Sequence, residues 1–122
     1  MTLINVFNTN IILFMDDLYN ITNNKLFIEK KNLCNTVIKF NDTYLINLFY
    51  NYIYCKKEYI INKNKLILTE LNKLDLFTNI NLNLLWNELN NVNKEICWKY
   101  LNTFILLTEE YYLNNKYYLN NK

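Results

Sequence analysis

The stretch that decides the fold runs from residue 82 to residue 113 and reads LNLLWNELNNVNKEICWKYLNTFILLTEEYYL. It holds two runs of apolar residues at helical spacing, separated by the pair Asn90–Asn91. The first run predicts a short helix, and the second predicts the longest helix of the chain, roughly Val92 to Leu113. Trp86 and Trp98 lie on either side of the asparagine pair, a spacing that suits a helical hairpin with both indoles in one core.

Four more helices are predicted upstream, where apolar residues again recur at steps of three and four. Asn62-Lys63-Asn64 is predicted to be a turn, because Asn tolerates the left-handed conformation that ends helices when Gly is absent. A strand competes only over Tyr50 to Tyr59, since aromatic and β-branched residues also favour strands. The predicted fold is an all-α, compact single-domain bundle of about six helices that ends in a long C-terminal helix. The upstream stripes are Ile4, Phe7, Ile11, Phe14 and Leu18, with Thr2 as N-cap; Leu26, Leu33, Val37 and Phe40; Leu45, Phe49, Tyr52, Ile53 and Ile60; and Ile67, Leu71 and Leu74.

The chain ends in a repeat, because residues 111–116 and residues 117–122 both read YYLNNK. A six-residue step turns a helix by about 600°, so the two copies would face different sides. We therefore predict a single helical domain over residues 1–113 and a C-terminal tail over residues 114–122. The tail is interpreted either as a frayed end or as an aromatic–lysine segment that docks on a partner through Tyr117 and Tyr118.

Absent residue types exclude most catalytic designs, since the chain has no Gly, Pro, Ala, Ser, Arg, His or Gln. Without Gly there is no phosphate-binding glycine-rich loop. Without His and Ser, the usual general base, the usual metal ligand and the serine nucleophile are missing. Without Arg there is no bidentate contact to phosphate or guanine. We therefore predict a protein that is not an enzyme, with no catalytic, cofactor-binding or metal-binding residues.

The net charge and the cysteines indicate which partners and which cellular compartment suit the chain. A net charge of +2 attracts nucleic acid or anionic lipid only weakly. Cys34, Cys55 and Cys97 are odd in number and widely spaced, so no disulfide framework is expected and an intracellular, reducing compartment fits best. The apolar run Ile11 to Met15 is too short to span a bilayer, so we expect no membrane span.

Two groups of residues are candidate interaction sites. The first is an aromatic–basic patch that could stack single-stranded bases while its lysines follow the phosphates. It consists of Tyr50, Tyr52, Tyr54 and Tyr59 with Lys56 and Lys57 between them. The alternative is that alternate tyrosines lie in the core. Trp86 and Trp98 are interpreted either as core anchors or as interface hot spots, for which tryptophan is enriched.

Two pairs of adjacent carboxylates, Asp16–Asp17 and Glu109–Glu110, complete the candidates. Neighbours on a helix point about 100° apart, so neither pair converges on one ion or proton. Their position late in a helix is mildly unfavourable against the helix dipole, which could mark a surface for a basic partner.

The hairpin also carries a family resemblance. The run Leu76-Phe77, Ile80, Leu82, Leu85-Trp86-Asn87 and Lys94 to Asn102, with its Trp-Lys-Tyr-Leu helix, resembles small helical proteins of the nucleocytoplasmic large DNA viruses, or giant viruses. The resemblance covers roughly Leu74 to Leu113. It implies a viral origin and an all-helical fold, and it implies no activity.

Composition agrees with such a genome, since the 26 asparagines and 13 lysines indicate AT-rich codons. The leading hypothesis is a helical protein–protein interaction protein of an AT-rich large DNA virus, in the virion or in the host cytoplasm. Its partner would be another protein, either a second copy or a different chain. The alternatives are a nucleic-acid-binding accessory protein and a small subunit of an organelle-encoded ribosomal or respiratory assembly.

Overall fold

A computed structural model gives the architecture of residues 2–120, with side chains described for residues 2–113. All regular secondary structure in this part of the chain is helical, and the predicted all-α bundle with a long last helix is confirmed. Two single 3₁₀ turns, Tyr54–Lys56 and Asp75–Phe77, interrupt the series. The α-helices are α1 (Leu3–Thr22), α2 (Leu26–Phe40), α3 (Tyr44–Tyr52), α4 (Lys57–Ile61), α5 (Ile67–Leu71), α6 (Leu82–Glu88) and α7 (Asn91–Asn120).

Asparagine and threonine residues cap several of the helix ends. The Thr2 hydroxyl accepts a hydrogen bond from the Asn5 amide at 3.1 Å and begins α1, as predicted. Asn90 caps α7 in the same way, accepting from the Asn93 amide at 2.8 Å. Asn23 ends α1 in the left-handed conformation at φ 56°. In the predicted turn after α4, however, the left-handed residue is Lys63 rather than an asparagine.

The centre of the core is an aromatic cluster that joins α1, α3 and α7. The Phe104 ring lies 5.3 Å from Phe7 and 5.8 Å from Phe49, measured between centroids. Phe14 of α1 stacks on Tyr100 of α7, with 4.8 Å between the ring centroids. Because residue numbers rise along α1 as they fall along α7, these two helices pack antiparallel.

The predicted stripe of α2 is wrong at Leu33 and Phe40, whereas Leu26 packs against the core. Phe27 and Cys34 are its buried residues, whereas Leu33 is exposed and the Phe40 side chain is 88% exposed. The helix carries apolar residues on two overlapping faces. Packing against α1 therefore selects the Phe27 face, which the spacing alone does not distinguish.

The predicted third helix is divided into α3, a 3₁₀ turn and α4. Ile53 and Ile60 on the two sides of the 3₁₀ turn are both fully buried, so the break does not remove the segment from the core. Tyr, Ile and Cys are modest helix formers, and such sequences pass easily into the tighter 3₁₀ geometry. The strand considered as the alternative over Tyr50 to Tyr59 does not form.

Candidate functional site

The helical path separates the tyrosines of the predicted aromatic–basic patch. Residues two apart on α3 are rotated by about 200°, so Tyr50 and Tyr52 lie on opposite flanks of its buried face. Tyr54 in the following 3₁₀ turn joins the Tyr50 side, with 5.6 Å between the two ring centroids. The predicted patch is therefore two surfaces, each with its own neighbours.

The first surface is a tyrosine–carboxylate cluster, formed by Tyr50, Tyr54, Lys57, Glu109 and Tyr112. The Tyr54 hydroxyl donates to Glu109 Oε1 at 3.0 Å, and Lys57 Nζ lies 3.4 Å from the same oxygen. Lys57 Nζ also donates to the Tyr54 hydroxyl oxygen at 3.3 Å. Tyr50 stacks on Tyr112 at 3.9 Å, and the Tyr112 hydroxyl donates to the side-chain oxygen of Asn47.

These contacts set the electrostatics of the cluster. The hydrogen bond to Tyr54, followed by the Glu109 carboxylate, raises the pKa of Lys57 above its ordinary value and favours the cation. Burial, together with the neighbouring tyrosines, raises the pKa of Tyr112. An open groove of about 530 Å³ borders the cluster. The polar groups of the tyrosine–carboxylate cluster bond mainly to one another. Such an arrangement is typical of a contact that fixes α7 against the middle of the chain.

The second surface is the α3 groove, which has a volume of about 400 Å³. Tyr44, Leu48 and Tyr52 form one wall at steps of four, so they occupy one flank of α3. The Tyr52 side chain is 60% exposed, Tyr44 is exposed, and Leu48 is half-buried against the core. The facing wall comes from the segment around α5: Glu70, Lys73, Leu74 and Asp75.

The polar side of the α3 groove carries side chains of both positive and negative charge. Lys73 Nζ pairs with Glu70 Oε2 at 3.2 Å. Asp75 is exposed, and its backbone carbonyl accepts from Lys30 Nζ at 3.1 Å. Within the described residues, the Asp75 carboxylate has no ion pair or hydrogen bond. One acidic group that lines the α3 groove is therefore available to a ligand.

The two tryptophans lie in the core, as the hairpin spacing predicted. Both are buried and meet edge to face, with 5.1 Å between centroids. Both residues border a shallow groove, where Lys94 Nζ lies over the Trp86 ring, 5.8 Å from its centroid. Lys63 in this groove pairs with Glu95 at 2.8 Å. The tryptophans therefore present little area to a partner in this conformation.

The paired carboxylates diverge as predicted. Asp16 pairs with Lys31 at 2.8 Å, whereas Asp17 accepts a hydrogen bond from the Tyr100 hydroxyl. Glu109 belongs to the tyrosine–carboxylate cluster, whereas Glu110 is exposed. Over the described part of the chain, no group of three or more Cys, Asp or Glu side chains could hold a metal ion.

The cysteines also separate by environment. Cys34 and Cys97 are buried, and burial raises the pKa of each thiol to about 11. Cys55 is exposed, and its Sγ lies 3.8 Å from the Tyr52 carbonyl oxygen. The small pocket that Cys97 lines exposes only apolar surface and measures about 40 Å³, which is too small for an organic substrate.

The remaining predicted site residues are Lys56, Tyr117 and Tyr118. Lys56 is exposed beside the cluster, and Tyr117 and Tyr118 lie outside the residues whose side chains are described. The sequence pattern did not indicate Glu109 as the partner of Tyr54, Tyr112 as the partner of Tyr50, or the α3 groove. The step of four from Tyr44 through Leu48 to Tyr52 was the available signal for that groove.

Comparisons with protein-family models, with curated proteins and with solved structures give no match to this chain. Among residues 2–120, no helix is both long enough and apolar enough to cross a membrane.

Proposed function

We propose that this chain is a non-enzymatic protein-binding module and that the α3 groove receives a short amphipathic segment of a partner protein. The observation that carries the proposal is the second apolar flank of α3. One helix of nine residues buries Leu45, Ile46 and Phe49, yet it also presents two exposed tyrosines beside a half-buried leucine.

The dimensions of the α3 groove suit a short segment. From Tyr44 to Tyr52 the α3 wall extends for about 12 Å, which matches roughly two turns of a partner helix. Tyrosines are effective anchors at protein interfaces, because a rigid ring buries a large area and its hydroxyl still finds a polar partner.

The charges of the α3 groove define the segment further. Glu70 and Lys73 neutralise each other, so they attract neither sign strongly. Asp75 also lines the groove, and its carboxylate is the group left to pair with a partner. The expected occupant therefore carries two or three apolar anchors and one lysine or arginine placed to reach Asp75.

The geometry supports a protein partner better than a nucleic acid strand. Stacking of successive bases needs free aromatic faces along a basic track. Tyr50 is already stacked on Tyr112, and Lys57 is already paired with Glu109. Lys56 and Tyr52 alone do not form such a track.

The resemblance to small helical proteins of giant viruses supports a viral rather than an organellar origin. We accordingly place the proposed partner among proteins of the virion or of the host cytoplasm. Codon usage and neighbouring genes would separate these origins.

The test uses the purified chain to capture proteins from the cells in which it is expressed. We expect one protein to be retained by the wild type and lost with Tyr52→Asp, which places a charge in the α3 groove. The matched control is Leu84→Asp, because Leu84 is similarly exposed on a different helix, α6, and should leave capture unchanged. Asp75→Asn should weaken capture by several-fold without abolishing it.

Two results would contradict the proposal. Capture that survives Tyr52→Asp would place the binding surface elsewhere. Retention of single-stranded DNA or RNA at low salt, lost with Lys56→Glu and Lys57→Glu, would favour the nucleic-acid alternative instead, because phosphate contacts are strongest at low salt.

A further inference from the structure

The outer face of α7 carries a stripe that the described elements leave largely uncovered. Its positions advance by four and three residues in alternation, the heptad spacing of a coiled coil. The stripe lies opposite the buried face of α7, which contains Cys97, Leu101 and Phe104. The members of this α7 stripe are Val92, Ile96, Lys99, Thr103, Leu106, Glu110 and Leu113.

The α7 stripe is more apolar than a solvated helix face needs to be. The Leu106 side chain is 64% exposed and that of Leu113 is 56% exposed, and both occupy the same heptad position. Ile96 and Thr103 are half-buried at the groove against α1. The Thr103 hydroxyl donates to the Lys99 carbonyl at 2.9 Å, so its methyl group is free to pack.

The two charged members of the stripe are self-complementary. Neither the Lys99 ammonium nor the Glu110 carboxylate has an ion pair within the described residues. When two copies of α7 run antiparallel about a two-fold axis between residues 104 and 105, Lys99 of each copy faces Glu110 of the other. The same register places Ile96 against Leu113 and Thr103 against Leu106.

Other arrangements lose this match. In a parallel pair, Lys99 would face Lys99 and Glu110 would face Glu110. A slip of one heptad in the antiparallel pair would set Lys99 against Thr103, or Glu110 against Leu106. A polar pair inside an apolar seam fixes the register in this way, because every alternative leaves a desolvated charge unpaired.

We propose that this chain forms an antiparallel homodimer through the α7 stripe. Each Lys99 pairs with Glu110 of the second copy, and Leu106 lies near the two-fold axis. From Ile96 to Leu113 the seam is about 25 Å long, at the low end for specific interfaces, so dissociation constants of about 1–100 µM are expected. This surface is separate from the α3 groove and does not depend on the proposed function.

Charge reversal gives the sharpest test, with sedimentation velocity measured across a concentration series. Lys99→Glu or Glu110→Lys alone should weaken dimerisation at least tenfold, because each places like charges across both ends of the seam. The double variant Lys99→Glu/Glu110→Lys should restore the wild-type dissociation constant. Both positions are exposed, so circular dichroism and the urea midpoint should stay close to those of the wild type.

Mixing the two single variants tests whether opposite charges at residues 99 and 110 hold the two copies together. One chain then carries carboxylates at both positions and the other carries ammonium groups at both, so every facing pair is complementary. We expect a heterodimer tighter than either homodimer. Leu106→Asp should abolish the dimer, whereas Leu84→Asp and Tyr52→Asp should leave it intact.

Three results would overturn the proposal. The first is a wild type that remains monomeric at 1 mM, well above the dissociation constants expected for such a seam. The second is a dimer that is insensitive to single charge reversal, and the third is a mixture with no gain in affinity.

Discussion

Trp86 in α6 and Trp98 in α7 meet edge to face in the core, with 5.1 Å between their ring centroids and 72° between their planes. This contact closes the helical hairpin around Asn90, whose side chain begins α7. The two indoles are packing residues, because Trp86 is only 8% exposed and Trp98 only 5%.

We therefore expect Trp98→Ala to lower the free energy of unfolding by about 3–5 kcal/mol, since it leaves a cavity where an indole is removed. Trp98→Phe should lower the free energy of unfolding by less, because it keeps part of the side-chain volume and an aromatic contact. Urea denaturation followed by circular dichroism measures both. An unchanged midpoint for Trp98→Ala would show that the indole is not a core anchor.

The hairpin was predictable because its information is local. The spacing of Trp86 and Trp98 about an asparagine pair already predicts that both indoles reach one core. The helical spacing of the apolar residues predicts the two helices that carry them. The face of α2 was not predictable in the same way. Phe27 and Leu33 are equally apolar, and only packing against α1 distinguishes them.

The candidate sites were predictable only in part. The sequence predicted Tyr52, Tyr54 and Lys57 as candidate site residues, but the partners of Tyr54 and Lys57 lie more than fifty residues away on α7. No local pattern specifies that Glu109 accepts from Tyr54. The resulting division of the tyrosines between two surfaces is a property of the tertiary fold.

The hydrogen bond from Tyr54 to Glu109 predicts a coupled change at Lys57. Tyr54→Phe removes the leading cause of the raised pKa of Lys57, so that pKa should fall toward its ordinary value. Glu109→Gln should lower it as well, because the carboxylate charge is lost. Nuclear magnetic resonance titration of the lysine side chains measures the change. Tyr52→Phe is the matched control, and an equal fall in that variant would refute the assignment.

The buried thiols predict a loss of stability at alkaline pH. Cys34 and Cys97 keep their protons to about pH 11 in the folded chain, whereas thiols in the unfolded chain ionise from about pH 9. The unfolded state is therefore favoured as the pH rises from 9 to 11, by up to about 2–3 kcal/mol per thiol. Urea midpoints measured across this range should fall, and the fall should be smaller for Cys34→Val.

The same burial predicts selective alkylation. In the folded chain at pH 8, iodoacetamide should modify Cys55 alone, because the thiolate is the nucleophile and the other two thiols are protonated and enclosed. Mass spectrometry should show one adduct in buffer and three in urea. Rapid modification of Cys34 without denaturant would contradict the burial of that residue.

Asn72 fixes the connection between α5 and α6 with three hydrogen bonds. Its side-chain nitrogen donates to the carbonyls of Phe77 and Ile80, at 3.2 Å and 2.8 Å, and its side-chain oxygen accepts from the Leu82 amide at 3.0 Å. Asn72→Asp keeps the shape but sets a carboxylate oxygen against two carbonyl oxygens. We expect it to lower the free energy of unfolding by about 2–4 kcal/mol.

The matched control for Asn72→Asp is Asn83→Asp, an identical change at an exposed position of α6 that should shift the urea midpoint little. Asn72→Ala should also destabilise, because it leaves the Leu82 amide and two carbonyls without their partner. Hydrogen exchange at the Leu82 amide separates a local effect from a global one, since that proton loses its acceptor only in Asn72→Ala. If Asn72→Asp were as stable as the wild type, the connection would have to be held by the burial of Leu76, Phe77 and Ile80 alone.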